Sequence, residues 1–74
     1  MASETTKLKA LAKNIQMARK NKNLSQNQLA DILDISREHL AKIETAKKRI
    51  SLSLLFKLAD VLETTEKELF DFSL

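Results

Sequence analysis

Leu8, Leu11, Ile15 and Ala18 recur at helical spacing, with Lys7, Lys9, Lys13, Gln16 and Lys20 falling between them. This alternation predicts an amphipathic helix ending near Asn21, its apolar stripe turned inward and its basic side turned to water. Residues 1–4 form a polar, frayed start, and Ser3, Thr5 and Thr6 are the candidate caps. Asn21 to Leu24 reads as a turn, in which Asn23 suits a left-handed backbone better than any other residue available there.

Two shorter helices follow within Leu24 to Glu44, LSQNQLADILDISREHLAKIE. Ser25 and Gln28 have the spacing of a capping box, in which each side chain satisfies an orphan amide of the first turn. Leu29, Ala30 and Leu33 then repeat at helical spacing, and Asp34 stands where the chain must leave the helix. Ser36 caps the next helix, which turns Leu40 and Ile43 inward and packs Ile35 at its entry. Its opposite face carries Arg37, Glu38, Ala41, Lys42 and Thr45, all small or hydrogen-bonding. Such a face, on a helix held at a fixed offset by a tight turn, can reach base edges in a DNA groove.

The basic connection AKKRI, Ala46 to Ile50, ends at Ser51, a cap for a fourth helix with Leu52, Leu55, Leu58, Ala59 and Leu62 inward. Thr65 and Glu68 predict a second capping box, opening a short fifth helix through Leu69 and Phe70. No stretch reads as a strand, a repeat or an interdomain linker. The expected fold class is all-α, a compact bundle of five short helices. It forms one domain over residues 1–74, with its core at about residues 6–72 and the paired helices at residues 25–45.

Composition narrows the function. With 74 residues and no cysteine, stability has to come from packing alone, and disulfides and cysteine-ligated zinc are excluded. One histidine with scattered carboxylates offers no metal-ligand spacing. The absence of glycine and proline removes the phosphate-cradling loops of nucleotide enzymes. No cofactor, metal or small-molecule ligand is expected. With no signal-peptide pattern and no apolar run near the roughly 20 residues that span a bilayer, a cytoplasmic protein without membrane contact is expected. The net charge of +3 is unevenly spread: Lys7 to Arg49 holds eleven basic and four acidic residues, whereas Ile50 to Leu74 holds two basic and five acidic. A basic first two-thirds joined to an acidic end suggests one surface for a polyanion and another for a different partner.

The series Arg19, Leu24-Ser25-Gln26, Leu29-Ala30, Ile35-Ser36, Ile43-Glu44, Leu58-Ala59 and Leu69-Phe70 resembles the phage repressor and Cro type of helix-turn-helix domain, also called the xenobiotic-response-element type. The resemblance implies a lambda-repressor-like fold that binds double-stranded DNA. It also implies that Arg37, Glu38 and Lys42 occupy the base-reading positions. Gln26 matches the residue that contacts phosphate and buttresses the recognition helix, and His39, Lys47, Lys48 and Arg49 match positions that touch the sugar-phosphate backbone. Chemically, an arginine at the first turn can bond guanine O6 and N7, and Glu38 can accept from a cytosine amino group. The chain departs from the family in having Asp34, Ala46 and Glu63 where glycine is common, and Ile50 where proline is common. Aspartate tolerates a left-handed backbone, but Ala46 and Glu63 would cost roughly 1 kcal/mol each relative to glycine. Rearrangement of those two turns is therefore expected.

Arg19 interrupts the apolar stripe of the first helix, which is costly unless its charge is paired, and Glu44 is the natural partner. We read the two as a structural ion pair. Phe70, Phe72 and Leu74, with Phe56, exceed what so small a core needs, and an apolar C-terminal patch suggests a partner surface. The expected function is a sequence-specific DNA-binding transcriptional regulator, a homodimeric repressor on a palindromic operator, with no enzymatic activity. It uses helix 36–45 in the major groove and Phe70, Phe72 and Leu74 between protomers. Phage regulator, restriction-modification controller and antitoxin remain open, and a protein-interaction adaptor on the same scaffold is the alternative class. Steep loss of DNA affinity with salt separates a DNA-binding protein from the adaptor.

Overall fold

In the computed structural model, which describes residues 3–72, each helix begins at a hydroxyl residue. The side chains of Ser3, Ser25, Ser36, Ser51 and Thr65 accept hydrogen bonds from the backbone N–H groups of Thr6, Gln28, His39, Leu54 and Glu68. These caps satisfy donors that a helix leaves orphaned and so fix where each helix starts. The helices are α1 (Glu4–Asn21), α2 (Gln26–Leu33), α3 (Arg37–Glu44), α4 (Leu52–Val61) and α5 (Glu66–Leu69), with no strand among the described residues. At α2 the capping box is complete, Gln28 Oε1 accepting from Ser25 N–H at 2.8 Å. At α5 it is not: Glu68 Oε2 accepts instead from the Thr64 hydroxyl at 3.0 Å, so Thr65 caps without a reciprocal partner.

The ends of α1 to α4 share one device. Asn23, Asp34, Ala46 and Glu63 have φ values of 58°, 57°, 59° and 53°, the left-handed region. After each, an amide reaches back five residues: Leu24 to the Arg19 carbonyl, Ile35 to Ala30, Lys47 to Lys42 and Thr64 to Ala59, at 2.8 to 3.2 Å. This is the hydrogen-bond pattern with which helices commonly stop on glycine. The turns at Ala46 and Glu63 are thus not rearranged, contrary to expectation. The 2.8 Å and 2.9 Å bonds of Lys47 and Thr64 hold the backbone in a region that a Cβ makes unfavourable.

The core joins α1 through Leu11 and Ile15, α2 through Leu29, Ala30 and Leu33, and α3 through Leu40 and Ile43. Leu54, Leu55, Leu58, Ala59 and Leu62 enter from α4 and its end, and Leu69 from α5. In α1, Leu11, Ala12, Ile15 and Arg19 form the buried stripe, with Leu8 and Ala18 only half-buried. On α4 the expected inward Leu52 is 69% exposed, and Leu54 takes the interior place. Helix α3 packs on α1 and α2, while α5 packs on α1 and α4. Asn14 secures the last contact, donating from Nδ2 to the Leu69 carbonyl at 2.9 Å and to the Asp71 carbonyl at 3.3 Å.

Candidate nucleic-acid interface

The position of α3 is set from beneath by one carboxylate. Glu44 is buried at the last residue of α3, and its side chain has no exposed surface. Arg19 Nε donates to Glu44 Oε2 at 2.8 Å and Arg19 Nη2 to Oε1 at 3.0 Å, a two-point contact. The remaining Arg19 nitrogen, Nη1, donates to the Leu24 carbonyl at 2.8 Å, tying the same guanidinium to the turn before α2. Gln26 Nε2 completes the set with a 3.1 Å bond to Glu44 Oε1. Three elements converge on one anion: α1, the first residue of α2 and the last of α3. A planar guanidinium matches a carboxylate in this geometry, and the additional donors offset the desolvation that otherwise makes buried ion pairs costly. No buried side-chain polar atom among the described residues lacks a partner.

With Leu40, Ile43 and Glu44 turned inward, the other side of α3 faces solvent. Arg37, Glu38, Lys42 and Thr45 are exposed and Ala41 is half-buried between them. Glu38 and Lys42, one turn apart, approach to 3.5 Å, a solvent-screened contact that leaves both heads accessible. The Thr45 hydroxyl donates to the Ala41 carbonyl at 2.9 Å and so closes the helix. No acidic residue other than Glu38 shares this exposed face.

The remaining sequence-predicted residues fall at different places around it. Gln26 is half-buried beside α3, its amide engaged with Glu44. His39 lies off the Arg37 face, half-buried on the flank of α3 in a groove that Ser51, Ser53 and Lys57 border from the α4 side. Lys47 and Lys48 are exposed in the connection after α3. Arg49, in the same connection, forms an ion pair with Glu4 at the start of α1, both side chains remaining largely in water. The resemblance gave Gln26 as a buttress of the recognition helix without naming Glu44 as its partner, and sequence reasoning did not foresee the role of Asn14; a polar residue beside Ile15 on a packed helix was the available signal for the latter.

At the other end of the molecule Phe70 is 49% exposed, and its ring lies 6.3 Å from that of Phe72. Phe72 is partly buried against the core, so it belongs in part to the fold itself. Leu74 lies outside the described residues. Leu52 and Phe56, exposed and one turn apart on α4, add apolar surface to the C-terminal half. Among the described residues no group of His, Asp and Glu is placed to hold a metal ion, and no helix is long and apolar enough to cross a membrane.

Comparison with known proteins agrees with this geometry. The sequence model of the helix-turn-helix family matches residues 15–69. The control protein C.SmaI of Serratia marcescens is 37% identical over 59 residues, spanning 80% of this chain and 70% of that protein. The crystal structure of the restriction-modification controller protein C.AhdI from Aeromonas hydrophila superimposes with a TM-score of 0.78 at 29% identity, covering 84% of this chain and 94% of that one. The hypothetical transcription factor NHTF from Neisseria gives 0.81 at 28% identity, covering 95% of this chain and 80% of its own.

Proposed function

The chain belongs to the Cro/C1-type helix-turn-helix family of DNA-binding transcription regulators, and from that premise we propose that it is a sequence-specific repressor that binds a palindromic operator as a homodimer and controls a restriction-modification operon. The observation that carries this reading is the exposed face of α3. It presents Arg37, Glu38 and Lys42 together, on a helix whose position is fixed by the carboxylate of Glu44. In this motif the N-terminal part of the second helix contacts base edges in the major groove. Arg37 is the first residue of α3 and is assigned to a guanine, with Glu38 and Lys42 reading neighbouring pairs.

Lys47 and Lys48, in the connection after α3, supply phosphate contacts, joined by Arg49 when its exposed pair with Glu4 exchanges for DNA. His39 adds a contact at the flank. Gln26 holds α3 and presents the start of α2 to the backbone. One such domain buries limited surface on DNA, so two copies are needed for useful specificity. Phe70, with Leu52 and Phe56, is the apolar surface assigned to the second protomer. Blocking polymerase at the operator is the output, in a cytoplasmic protein with no catalytic role. The assignment to a restriction-modification operon is supported by the likeness to C.AhdI, a restriction-modification controller protein, and to the control protein C.SmaI.

Selection of bound sites from a random DNA pool tests the proposal. A two-fold symmetric motif is the expected product, and the absence of any enriched sequence at low salt overturns the reading.

A further inference from the structure

Helix α1 extends along the C-terminal end of α3, and the side it turns there is basic. Lys9 and Lys13 are exposed, one turn apart, and with Ala12 and Gln16 they form one wall of an open groove whose other wall is Thr45 and Ala46. The acidic residue on its rim, Glu44, has its carboxylate fully buried and bonded to Arg19 and Gln26, so it presents no accessible negative charge there. Neither Lys9 nor Lys13 forms an ion pair among the described residues, and Glu44 is the one acidic residue that lines the groove. Lys20 continues the outward basic side of α1 toward the turn before α2.

We propose that Lys9 and Lys13 are a further DNA-binding site: they bind the sugar-phosphate strand that borders the major groove at the C-terminal end of α3, widening the footprint beyond the helix-turn-helix onto α1. The inference rests on the proposed function above, since it takes α3 as the groove-bound helix. The groove lies against Thr45 and Ala46, where α3 ends, so a strand flanking that end runs past both ammonium groups. Residues four apart on a helix have Cβ atoms about 5–6 Å from each other, and one DNA strand carries a charge about every 3.4 Å along its axis, so both lysines meet phosphates of a single strand. They face no base edge. Their contribution is therefore to affinity and salt dependence, with sequence preference untouched.

The test is a salt titration of operator binding by the full chain and by Lys9→Ala/Lys13→Ala, with Lys67→Ala on the acidic α5 as a control for net charge and Lys9→Arg/Lys13→Arg as the charge-conserving variant. The plot of log affinity against log salt is expected to flatten by about 0.9 for each lost contact, roughly 1.8 per bound protomer in the double alanine variant. The arginine variant and Lys67→Ala are expected to keep the original slope, and the ranking of operator variants is expected to stay the same throughout. An unchanged slope in the double alanine variant overturns this proposal while leaving the α3 assignment standing. Flattening by Lys67→Ala of half the size seen in the double alanine variant also overturns it, because net charge, one unit lost against two, then explains the effect. Salt-insensitive binding, or none, by the unaltered protein overturns the DNA-binding reading itself.

Discussion

Glu44 accepts two hydrogen bonds from the guanidinium of Arg19, at 2.8 and 3.0 Å, with no part of its own side chain exposed. The pair joins the longest helix of the protein to the end of the helix assigned to DNA. Removing one partner leaves a buried charge uncompensated, a loss of about 3–5 kcal/mol, whereas exchanging both for apolar residues of similar volume is close to neutral. Glu44→Ala is expected to lower the melting temperature by roughly 12 °C or more, and Arg19→Met/Glu44→Leu by far less. Calorimetry of the two variants checks this; a drop of only a degree or two for Glu44→Ala would mean that the pair contributes little in solution.

The left-handed helix ends make a second prediction, of the opposite sign. Ala46 holds φ 59° without glycine, and relieving its Cβ strain is worth about 1 kcal/mol. Ala46→Gly is expected to raise the melting temperature by about 4–8 °C. Glu63→Gly gains the same relief but loses the 2.9 Å contact with Lys22, a partly exposed pair worth less than about 1 kcal/mol. A fall in thermal stability for Ala46→Gly contradicts the strain argument.

Local chemistry explains why so much of the fold was legible in the sequence. A cap involves residues three apart, so Ser25 with Gln28, Ser36 and Ser51 each announce a helix start without reference to the rest of the chain. Asn23 and Asp34 mark their turns because their short polar side chains tolerate a left-handed backbone. Ala46 and Glu63 adopt the same conformation with no such chemistry, and only the surrounding hydrogen bonds and packing hold them in it. In α4, Leu52, Leu54, Leu55 and Phe56 are apolar almost in succession, so periodicity does not say which face turns inward; in the packed fold Leu54 is buried and Leu52 is exposed. The exposed face of α3 was legible from spacing, and the Arg19–Glu44 pair from a charge interrupting an apolar stripe, but Glu44 as the partner of Gln26 was not, since a polar residue at the exposed start of a helix carries no such signal of its partner.

Dimer formation separates the two phenylalanines at the C-terminal end. Phe70 is half exposed while Phe72 is packed partly on the core. Burial of a large apolar side chain against a second protomer contributes roughly 1.5–3 kcal/mol, so Phe70→Ala is expected to weaken self-association by a factor of ten or more with little change in monomer stability. Phe72→Ala is expected to destabilise the fold as well. Sedimentation at graded concentrations reads the first effect. A monomer at high micromolar concentration with and without Phe70→Ala removes the homodimer from the account. The proposed dimer is expected to set its recognition helices about 34 Å apart, matching half-sites one turn of DNA from each other.

The central claim is that α3 reads bases while the connection after it holds phosphates, and comparison of Arg37→Ala with Lys48→Ala across a panel of operator variants tests it most directly. Arg37→Ala is expected to cost about 1–3 kcal/mol on the preferred operator, to leave non-specific binding nearly unchanged, and to relax preference at one base pair per half-site. Lys48→Ala is expected to weaken every sequence alike and to reduce the salt slope by about one contact per protomer. A uniform loss in both variants, with sequence preference intact, would contradict the assignment of α3 to the bases.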